Sequence, residues 1–140
     1  MTNIRVVLAD DHQAVLARVR RTLAEEFEVV ATAEDGNQAV AAVLALDPDV
    51  LVTDISMPLL DGLQVAKRLQ TAHCRAKILF LTIHEDQDFV AAAFDAGASG
   101  YVTKSRLSTD LVPAIRQALL GHTFVSPTAK NRPTRFSSIQ

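Results

Sequence analysis

The 140-residue sequence has only one cysteine, five glycines and no tryptophan. Because Cys74 has no partner in the chain, an intrachain disulfide framework and a thiolate metal site are excluded. No glycine falls in the first predicted turn, Ala9 to His12, which excludes the glycine-rich phosphate loops of dinucleotide-binding and P-loop proteins. The sequence also lacks an apolar run of membrane-spanning length and an apolar signal segment near its N-terminus, so we expect a cytoplasmic protein without membrane contact.

Charges of the two signs nearly balance, with a net charge of −2 and a pI of about 6.0. This balance argues against a protein whose main activity is to bind nucleic acid directly. The length suits a single domain, and a hydrophobic content of 49% is enough for a substantial core. We predict a domain over residues 1–122 and a linker or mobile tail over residues 123–140, because Ser126 to Gln140 has no periodicity.

Five short apolar segments predict strands, and apolar residues at helical spacing follow each of them. This alternation implies right-handed crossovers and a parallel sheet with helices on both faces. The predicted fold is α/β and flavodoxin-like, a doubly wound sheet of five strands with five helices, whose order 2-1-3-4-5 we take from that fold class. The strands at 6–9, 50–52 and 78–81 are apolar at every position, which places them at the centre of the sheet. The predicted strands are Ile4 to Ala9, Glu28 to Ala31, Val50 to Thr53, Ile78 to Thr82 and Gly100 to Thr103.

The last predicted helix contains Pro113, which a helix tolerates best near its first turn. We therefore expect regular helix to begin nearer Asp110 than Ser108. Gly121 marks the end of this helix, since glycine commonly follows a helix C-terminus.

Polar residues follow the predicted strands where the chain leaves the sheet. Ligands of open α/β sheets bind outside the carboxyl ends of the strands, so these residues are expected to meet at one edge. Each has a simpler interpretation: Asp11 can cap the first helix, Asp54 can begin a turn, and Lys104 can be a solvated surface residue. If there were no site, all of these simpler interpretations would have to be true at once, at the edge of the sheet where this fold binds ligands. The residues at the strand ends are Asp10, Asp11, Asp54, Thr82 and Lys104.

Three carboxylates in one place repel one another unless a cation compensates for their charge. Oxygen ligands favour Mg²⁺ over zinc, and the four histidines show no ligand spacing. A carboxylate beside Mg²⁺, with a lysine and a hydroxyl opposite, is suited to accept a phosphoryl group. We predict Asp54 as the acceptor, because it stands alone at the end of a central strand. Asp10 and Asp11 would hold the metal, and Lys104 and Thr82 would contact the phosphoryl oxygens.

These residues resemble the receiver domain of bacterial two-component response regulators over about residues 4 to 121. The resemblance is carried by the acidic pair at 10–11, the stretch at 54–62, Thr82, the run at 96–101 and Lys104. Each motif is weak alone, but their order and spacing together are specific to the family. One departure is Ser105, where many receivers have proline, and it bears on the geometry of the loop after Lys104.

The resemblance implies that Asp54 accepts a phosphoryl group from a phosphohistidine of a sensor histidine kinase. It implies that Asp11, Asp54 and the backbone carbonyl of Ser56 bind Mg²⁺, with Asp10 acting directly or through water. Thr82 and Tyr101 match the switch pair of the family, in which the hydroxyl moves toward the phosphoryl group and the aromatic ring turns inward. The domain would be a signalling module and not an enzyme beyond its own phosphorylation and dephosphorylation.

The sequence at 10–12 and 100–104 is most similar to the NarL/FixJ subgroup, in which a LuxR-type DNA-binding domain usually follows the receiver. We expect control of transcription through such a domain, which these residues do not include, and a phosphorylation-dependent homodimer. The alternatives are a stand-alone receiver and a pseudo-receiver that works without phosphorylation. An aspartate-nucleophile phosphatase typically has a second acid two residues after the first, but position 56 is serine. A flavin-binding protein would need a phosphate loop rich in serine and threonine.

Overall fold

The computed structural model describes residues 3–130, which form one six-stranded parallel sheet in the order β2-β1-β3-β4-β5-β6. Within these residues, no helix is long and apolar enough to cross a membrane. The strands are β1 (Ile4–Ala9), β2 (Phe27–Ala33), β3 (Val50–Thr53), β4 (Lys77–Thr82), β5 (Gly100–Thr103) and β6 (Phe124–Val125). The helices are α1 (Gln13–Leu23), α2 (Gly36–Leu46), α3 (Gly62–Thr71), α4 (Gln87–Asp95), α5 (Leu107–Leu119) and α6 (Pro127–Lys130).

Two apolar layers cover the sheet, one on each face. Alternate residues of β1 enter opposite layers, because successive side chains of a strand point to opposite faces. Val7 packs in the layer with residues of α2, α3 and α4, whereas Val6 packs in the layer with residues of α1 and α5. The strands β1, β3 and β4 lie between other strands, and their apolar residues are covered on both faces. The predicted central position of these three strands is therefore confirmed.

The predicted flavodoxin-like order 2-1-3-4-5 is confirmed, but among the described residues the strand count and the helix count are each one too low. Residues 124–125 add β6 in parallel to the outer edge of β5, and α6 follows directly. Both elements lie in the segment predicted as a linker or mobile tail. A strand of two residues is too short to produce a period-2 pattern, so no periodicity indicates it. The rest of the predicted tail, residues 131–140, lies outside the described residues.

The predicted start of the last helix near Asp110 is wrong, since α5 begins at Leu107, directly after a 3-10 turn at Lys104–Arg106. Pro113 lies inside the helix. Proline at this position frees the carbonyl of Thr109, and both residues are exposed, so water can bond to that carbonyl. The helix ends as predicted at Gly121, which has a φ of 85° and donates its N–H to the carbonyl of Ala118.

The carboxyl ends of the parallel strands meet at one edge of the sheet, and the loop between β3 and α3 folds over that edge. Gly62, the first residue of α3, donates its N–H to the carbonyl of Ile55 at 2.7 Å. A Cβ on Gly62 would lie 2.1 Å from the backbone oxygen of Asp54, so only glycine allows this approach. The helix then starts with a capping box of Asp61 and Gln64, which fixes the other end of the loop.

Candidate functional site

Three carboxylates lie together at this edge, and we call Asp10, Asp11 and Asp54 the acid cluster. Asp10 and Asp11 follow β1, and Asp54 follows β3, which pairs with β1. One ligand atom from each, together with one from His12, can be chosen so that all lie within 4.8 Å of one another. Asp10 and Asp54 are 3% and 4% exposed, so they repel each other with little screening by water. Buried carboxylates in this number need a compensating cation.

Lys104 supplies part of that compensation. Its Nζ lies 2.9 Å from Oδ2 of Asp10 and 2.8 Å from Oδ2 of Asp54. Burial by itself lowers the pKa of the Lys104 ammonium, but the bonds to Asp54 and Asp10 outweigh burial and raise that pKa above its ordinary value. The lysine is therefore charged at neutral pH. Its side chain is only 15% exposed, so it is not the solvated surface residue of the simpler interpretation.

The main chain fixes the position of the Asp54 carboxylate. The N–H of Asp54 donates to the carbonyl of Ala9 at 3.0 Å, which continues the pairing of β3 with β1 by one residue. Oδ1 of Asp54 accepts from the N–H of Ile55 at 2.6 Å, while Oδ2 accepts from Lys104. Each carboxylate oxygen thus has one donor, and the remaining lone pairs are available to a metal ion or a phosphorus atom.

His12 joins this group, although the four histidines show no ligand spacing along the chain. Its Nδ1 lies 3.1 Å from Oδ1 of Asp10 and 3.2 Å from Oδ1 of Asp11. His12 is also the N-cap residue of α1, and no side-chain cap hydrogen bond forms there. Asp11 therefore does not cap the first helix, and the simpler interpretation of Asp11 is wrong. The adjacency of His12 to Asp11 in the sequence was the available signal.

A cavity of about 640 Å³ opens over the acid cluster. Charged groups of Asp11, Asp54 and Lys104 line it together with apolar side chains such as Val15 and Ile83. An opening with these two kinds of wall can take a small donor that has an anionic phosphoryl end and a less polar remainder. The exposed oxygens available to a cation are carboxylate oxygens, which suit Mg²⁺.

Thr82 and Tyr101 lie on neighbouring strands next to the site, as the register of β4 and β5 requires. Both side chains are buried, and the Tyr101 hydroxyl donates to the carbonyl of His84 at 2.8 Å. The N–H of His84 approaches the Thr82 hydroxyl oxygen at 3.4 Å. Burial, and after it the negative charge of Asp54 and two other carboxylates, raises the pKa of the Tyr101 hydroxyl. The hydroxyl therefore keeps its proton and remains a donor.

A second contact joins two residues that line the cavity. Nε2 of His84 lies 3.2 Å from Oγ of Ser56, and the imidazole stacks on the ring of Phe89 with centroids 4.0 Å apart. The two loops that carry Ser56 and His84 are thus joined above the site. No spacing signal could reveal this contact, because the two residues are 28 positions apart in the sequence.

The structure brings together Asp10, Asp11, Asp54 and Lys104, as the sequence analysis expected, with Thr82 and Tyr101 beside them. Ser56 lines the cavity. The roles of these residues in phosphorylation and metal binding remain predictions. Of the other histidines, His73 follows α3 and His122 follows α5, and neither lines this cavity.

Comparisons with known proteins give one family. The family described as response regulator receiver domain matches residues 6–116. Among curated proteins, the chain is 38% identical over 126 residues to the transcriptional regulatory protein DegU of Brevibacillus brevis, an alignment that covers 89% of this chain and 53% of DegU. The chain thus spans little more than half the length of this relative.

Solved structures agree with the sequence matches. A LuxR-family response regulator from Aurantimonas sp. SI85-9A1 superposes with a TM-score of 0.90 at 33% identity and covers 99% of this chain and 100% of that one. The isolated receiver domain of RcsB from Salmonella enterica serovar Typhimurium, in the presence of the phosphomimetic BeF₃⁻, superposes with a TM-score of 0.84 at 30% identity. That match covers 93% of this chain and 98% of the RcsB domain.

Proposed function

Because the chain belongs to the response regulator receiver domain family, we propose that Asp54 accepts a phosphoryl group from a histidine kinase and that this transfer switches the conformation of the domain. The relatives are receivers of LuxR-type regulators, and the chain is one of that group. The observation that carries the proposal is the single ammonium of Lys104 shared between Asp54 and Asp10 at 2.8 and 2.9 Å. This arrangement leaves a buried nucleophilic carboxylate with a cation beside it.

In the proposed reaction, an oxygen of the Asp54 carboxylate attacks the phosphorus of a phosphohistidine. The P–N bond breaks, its electron pair stays on the imidazole nitrogen, and that nitrogen takes a proton from solvent. With acetyl phosphate as donor, the P–O bond breaks and acetate leaves. Transfer of this kind needs in-line placement and neutralised charge more than acid–base chemistry. The chemistry that we propose for the domain is therefore at most its own phosphorylation and dephosphorylation.

The negative charge on the phosphoryl oxygens has to be met by groups of the site. Lys104 can turn from the Asp54 carboxylate to a phosphoryl oxygen, because both positions lie within reach of one flexible side chain. Asp10, Asp11 and Asp54, with the backbone carbonyl of Ser56, would hold Mg²⁺. When bound there, the ion would neutralise charge on the transferred group. The carboxylate ligands fit this ion, since they lie within 4.8 Å of one another.

The switch would follow from contacts that differ between the two states. A phosphoryl group adds about two negative charges and three acceptor oxygens at Asp54, and it biases a conformational equilibrium only through such differential contacts. The Thr82 hydroxyl would donate to one of these oxygens, which draws the loop after β4 toward the site. Tyr101 donates to the carbonyl of His84 in that same loop, so its buried position would be stabilised together with that movement.

The proposed partners are a sensor histidine kinase and a second copy of the domain after phosphorylation. DegU is called a transcriptional regulatory protein. Control of transcription through a separate DNA-binding domain is therefore proposed for the protein that contains this receiver.

The acceptor is tested by intact-protein mass spectrometry after incubation with acetyl phosphate and Mg²⁺. We expect the wild type to gain the mass of one phosphoryl group and Asp54→Asn to gain none. Asp49→Asn is the matched control, since Asp49 lies at the other end of β3 and should leave labelling unchanged. Undiminished labelling of Asp54→Asn would refute the assignment.

Lys104→Ala separates acceptance from switching. We expect this variant to retain part of its labelling, because the Asp54 nucleophile remains, but to lose the conformational response. Amide chemical shifts of β5 before and after phosphorylation measure that response. A normal response in Lys104→Ala would remove Lys104 from the switch.

A further inference from the structure

Residues 124–129, which we call the strap, are held on the outer edge of β5 by backbone hydrogen bonds. Phe124 donates its N–H to the carbonyl of Ser99 at 3.2 Å, and Ser126 donates to the carbonyl of Tyr101 at 2.9 Å. The α6 turn begins at once after Ser126, whose carbonyl accepts from the N–H of Ala129 at 3.0 Å. The strap is therefore a seated element of the sheet edge and leads directly to residues 131–140.

A buried polar network fixes the strap in one register. Oγ of Ser126 accepts from the N–H of Thr103 at 3.1 Å and donates to Oδ2 of Asp110 at 2.8 Å. Arg106 binds both oxygens of the Asp110 carboxylate, at 2.9 and 3.1 Å. Ser126 is 0% exposed and Asp110 is 4% exposed. If the strap left its seat, the Thr103 amide and the Asp110 carboxylate would both lose a partner, so the network favours the docked position.

The α6 part of the strap lies on the face of β5 that carries the Tyr101 ring. Tyr101 and Thr103 share this face, because alternate residues of a strand do. Oγ1 of Thr103 lies 2.7 Å from Oγ1 of Thr128, and the side-chain amide of Gln87 on α4 donates to the carbonyl of Ala129. Ala129 is 0% exposed and belongs to the same buried apolar cluster as Tyr101. Loss of the strap would therefore remove Ala129 from the buried cluster in which the Tyr101 ring packs.

The strap and the acid cluster share one short segment of backbone. Thr103 binds the strap through its N–H and its hydroxyl, while the next residue, Lys104, binds Asp54 and Asp10. Two residues before Thr103, Tyr101 binds the strap through its backbone carbonyl and binds the loop of His84 through its hydroxyl. A shift of residues 101–104 therefore changes both sets of contacts at once.

We propose that the strap docks only while the Tyr101 ring is buried, so that strap docking and the state of the acid cluster stabilise each other. Such coupling is reciprocal: whatever favours the buried ring seats the strap, and loss of the strap frees the ring. The part of this proposal that concerns phosphorylation rests on the proposed function. The part that concerns Tyr101 does not, because it holds for the unphosphorylated protein. The strap would carry the signal to the chain that follows residue 130.

The protein contains a single tyrosine, so 3-fluorotyrosine labelling gives one ¹⁹F resonance that reports on Tyr101 alone. Ala129→Arg places a long cation at a fully buried position and should unseat the strap. We expect its resonance to move toward that of solvent-exposed fluorotyrosine, while circular dichroism shows a folded domain. Ala91→Arg, the same substitution at an exposed position of α4, is the matched control and should leave the resonance in place.

Amide hydrogen exchange of Ser126 and Ala129 measures strap docking directly. We expect exchange at both amides to become slower by about 5-fold or more when beryllofluoride and Mg²⁺ are added to the wild type, a coupling of ordinary allosteric size. Ser126→Pro is a second way to unseat the strap, because proline lacks the N–H donated to Tyr101 and the hydroxyl bound to Asp110. It should move the fluorine resonance in the same direction as Ala129→Arg.

The outcomes separate this inference from the proposed function. Fast exchange over the strap with an unmoved resonance in both strap variants would overturn the coupling. Fast exchange of Ser126 and Ala129 already in the wild type, unchanged by beryllofluoride, would show that the strap is not seated and would also overturn it. A moved resonance in the strap variants, with no response of the wild type to beryllofluoride, would support the coupling to Tyr101 and count against the proposed phosphorylation switch.

Discussion

The two ends of the sheet both carry clustered charges, but only one end has them balanced. At the amino ends of β3 and β4, Asp47 and Asp49 lie against the guanidinium of Arg75, at 3.2 and 2.9 Å, with Arg5 nearby. Asp47 and Arg75 are more than half exposed. At the carboxyl ends, three carboxylates face the single ammonium of Lys104, and two of them, Asp10 and Asp54, are buried.

The difference indicates which end is structural and which end is prepared to bind. The balanced end gains little from any further ion, since its charges already have exposed partners. The acid cluster retains excess negative charge in a place where water screens poorly, and a cation is needed to offset it. Charge imbalance under a cavity, and not the number of charged residues, distinguishes the candidate site.

Removing the cation at each end of the sheet should give the largest difference between the two ends in the free energy of unfolding. We expect Lys104→Ala to lower the free energy of unfolding by about 3 kcal/mol in the absence of Mg²⁺, because it leaves buried carboxylates unpaired. Arg75→Ala should lower it much less, since Arg75 and Asp47 are exposed and Asp49 is only partly buried. Urea unfolding of both variants measures these values. Mg²⁺ should restore stability to Lys104→Ala but not to Arg75→Ala; equal losses without this response would break the comparison.

Removing one carboxylate from each end should separate their affinities for Mg²⁺. Asp11→Asn should weaken Mg²⁺ binding by about tenfold or more, as loss of a directly bound group does. Asp47→Asn should bind Mg²⁺ as the wild type does, because its carboxylate lies at the other end of the sheet. Isothermal titration calorimetry gives both constants. A wild-type affinity in Asp11→Asn would exclude Asp11 as a ligand.

Lowering the pH should show how much the charge of Asp49, at the balanced end, contributes to the stability of the fold. Burial raises the pKa of Asp49, but the N–H of Arg5 and the guanidinium of Arg75 outweigh burial and hold that pKa below its ordinary value of 3.8. A carboxylate with a depressed pKa stabilises the fold above its unfolded-state pKa, and this stability is lost as the pH falls through the folded-state value. Asp49→Asn should therefore lose less stability than the wild type between pH 6 and pH 3, by at most about 1 kcal/mol. Urea unfolding at the two pH values measures the difference, and equal losses would contradict it.

Salt should have the smallest effect on stability and should act mainly on the exposed ion pairs of the balanced end. Screening at 1 M NaCl weakens exposed ion pairs, so the stability difference between the wild type and Arg75→Ala should shrink. The difference for Lys104→Ala should change less, since its carboxylate partners are buried. Urea titrations at two salt concentrations are sufficient. A larger salt effect at Lys104 would mean that the acid cluster is more hydrated than its burial indicates.

The parts of the fold that the sequence predicted are those with a strong local pattern. The strand Val50–Thr53 was placed to the residue, because an all-apolar run bounded by polar residues has one interpretation. The strap had no such pattern: its two strand residues, Ser126 and the first three residues of α6 are held by Tyr101, Thr103 and Asp110, which are distant in the sequence. The predicted start of α5 is too late because it assumes that Pro113 must lie in the first turn of the helix. Proline is tolerated further along because the carbonyl of Thr109, which loses its helical partner, is exposed to water.

The candidate site was predicted to the extent that it depends on topology. Once the sheet is parallel and doubly wound, residues that follow strands meet at one edge, and Asp10, Asp54 and Lys104 follow strands. His12 and His84 were missed because their contacts depend on loop conformation. The bond between His84 and Ser56 exists only because the loops after β3 and β4 approach each other above the cavity.

The sequence by itself determined the alternation of the first five strands and helices along the chain, the apolar layers and the set of charged groups, because each follows from residue type and spacing. Tertiary structure alone decided which of those charges are matched. Lys104 and Asp54 are 50 residues apart and come within 2.8 Å only after the sheet forms, and burial there makes their charges strong. Tertiary structure also decided the conformation of the strap, since a segment without a local sequence pattern takes its conformation from the surface against which it packs.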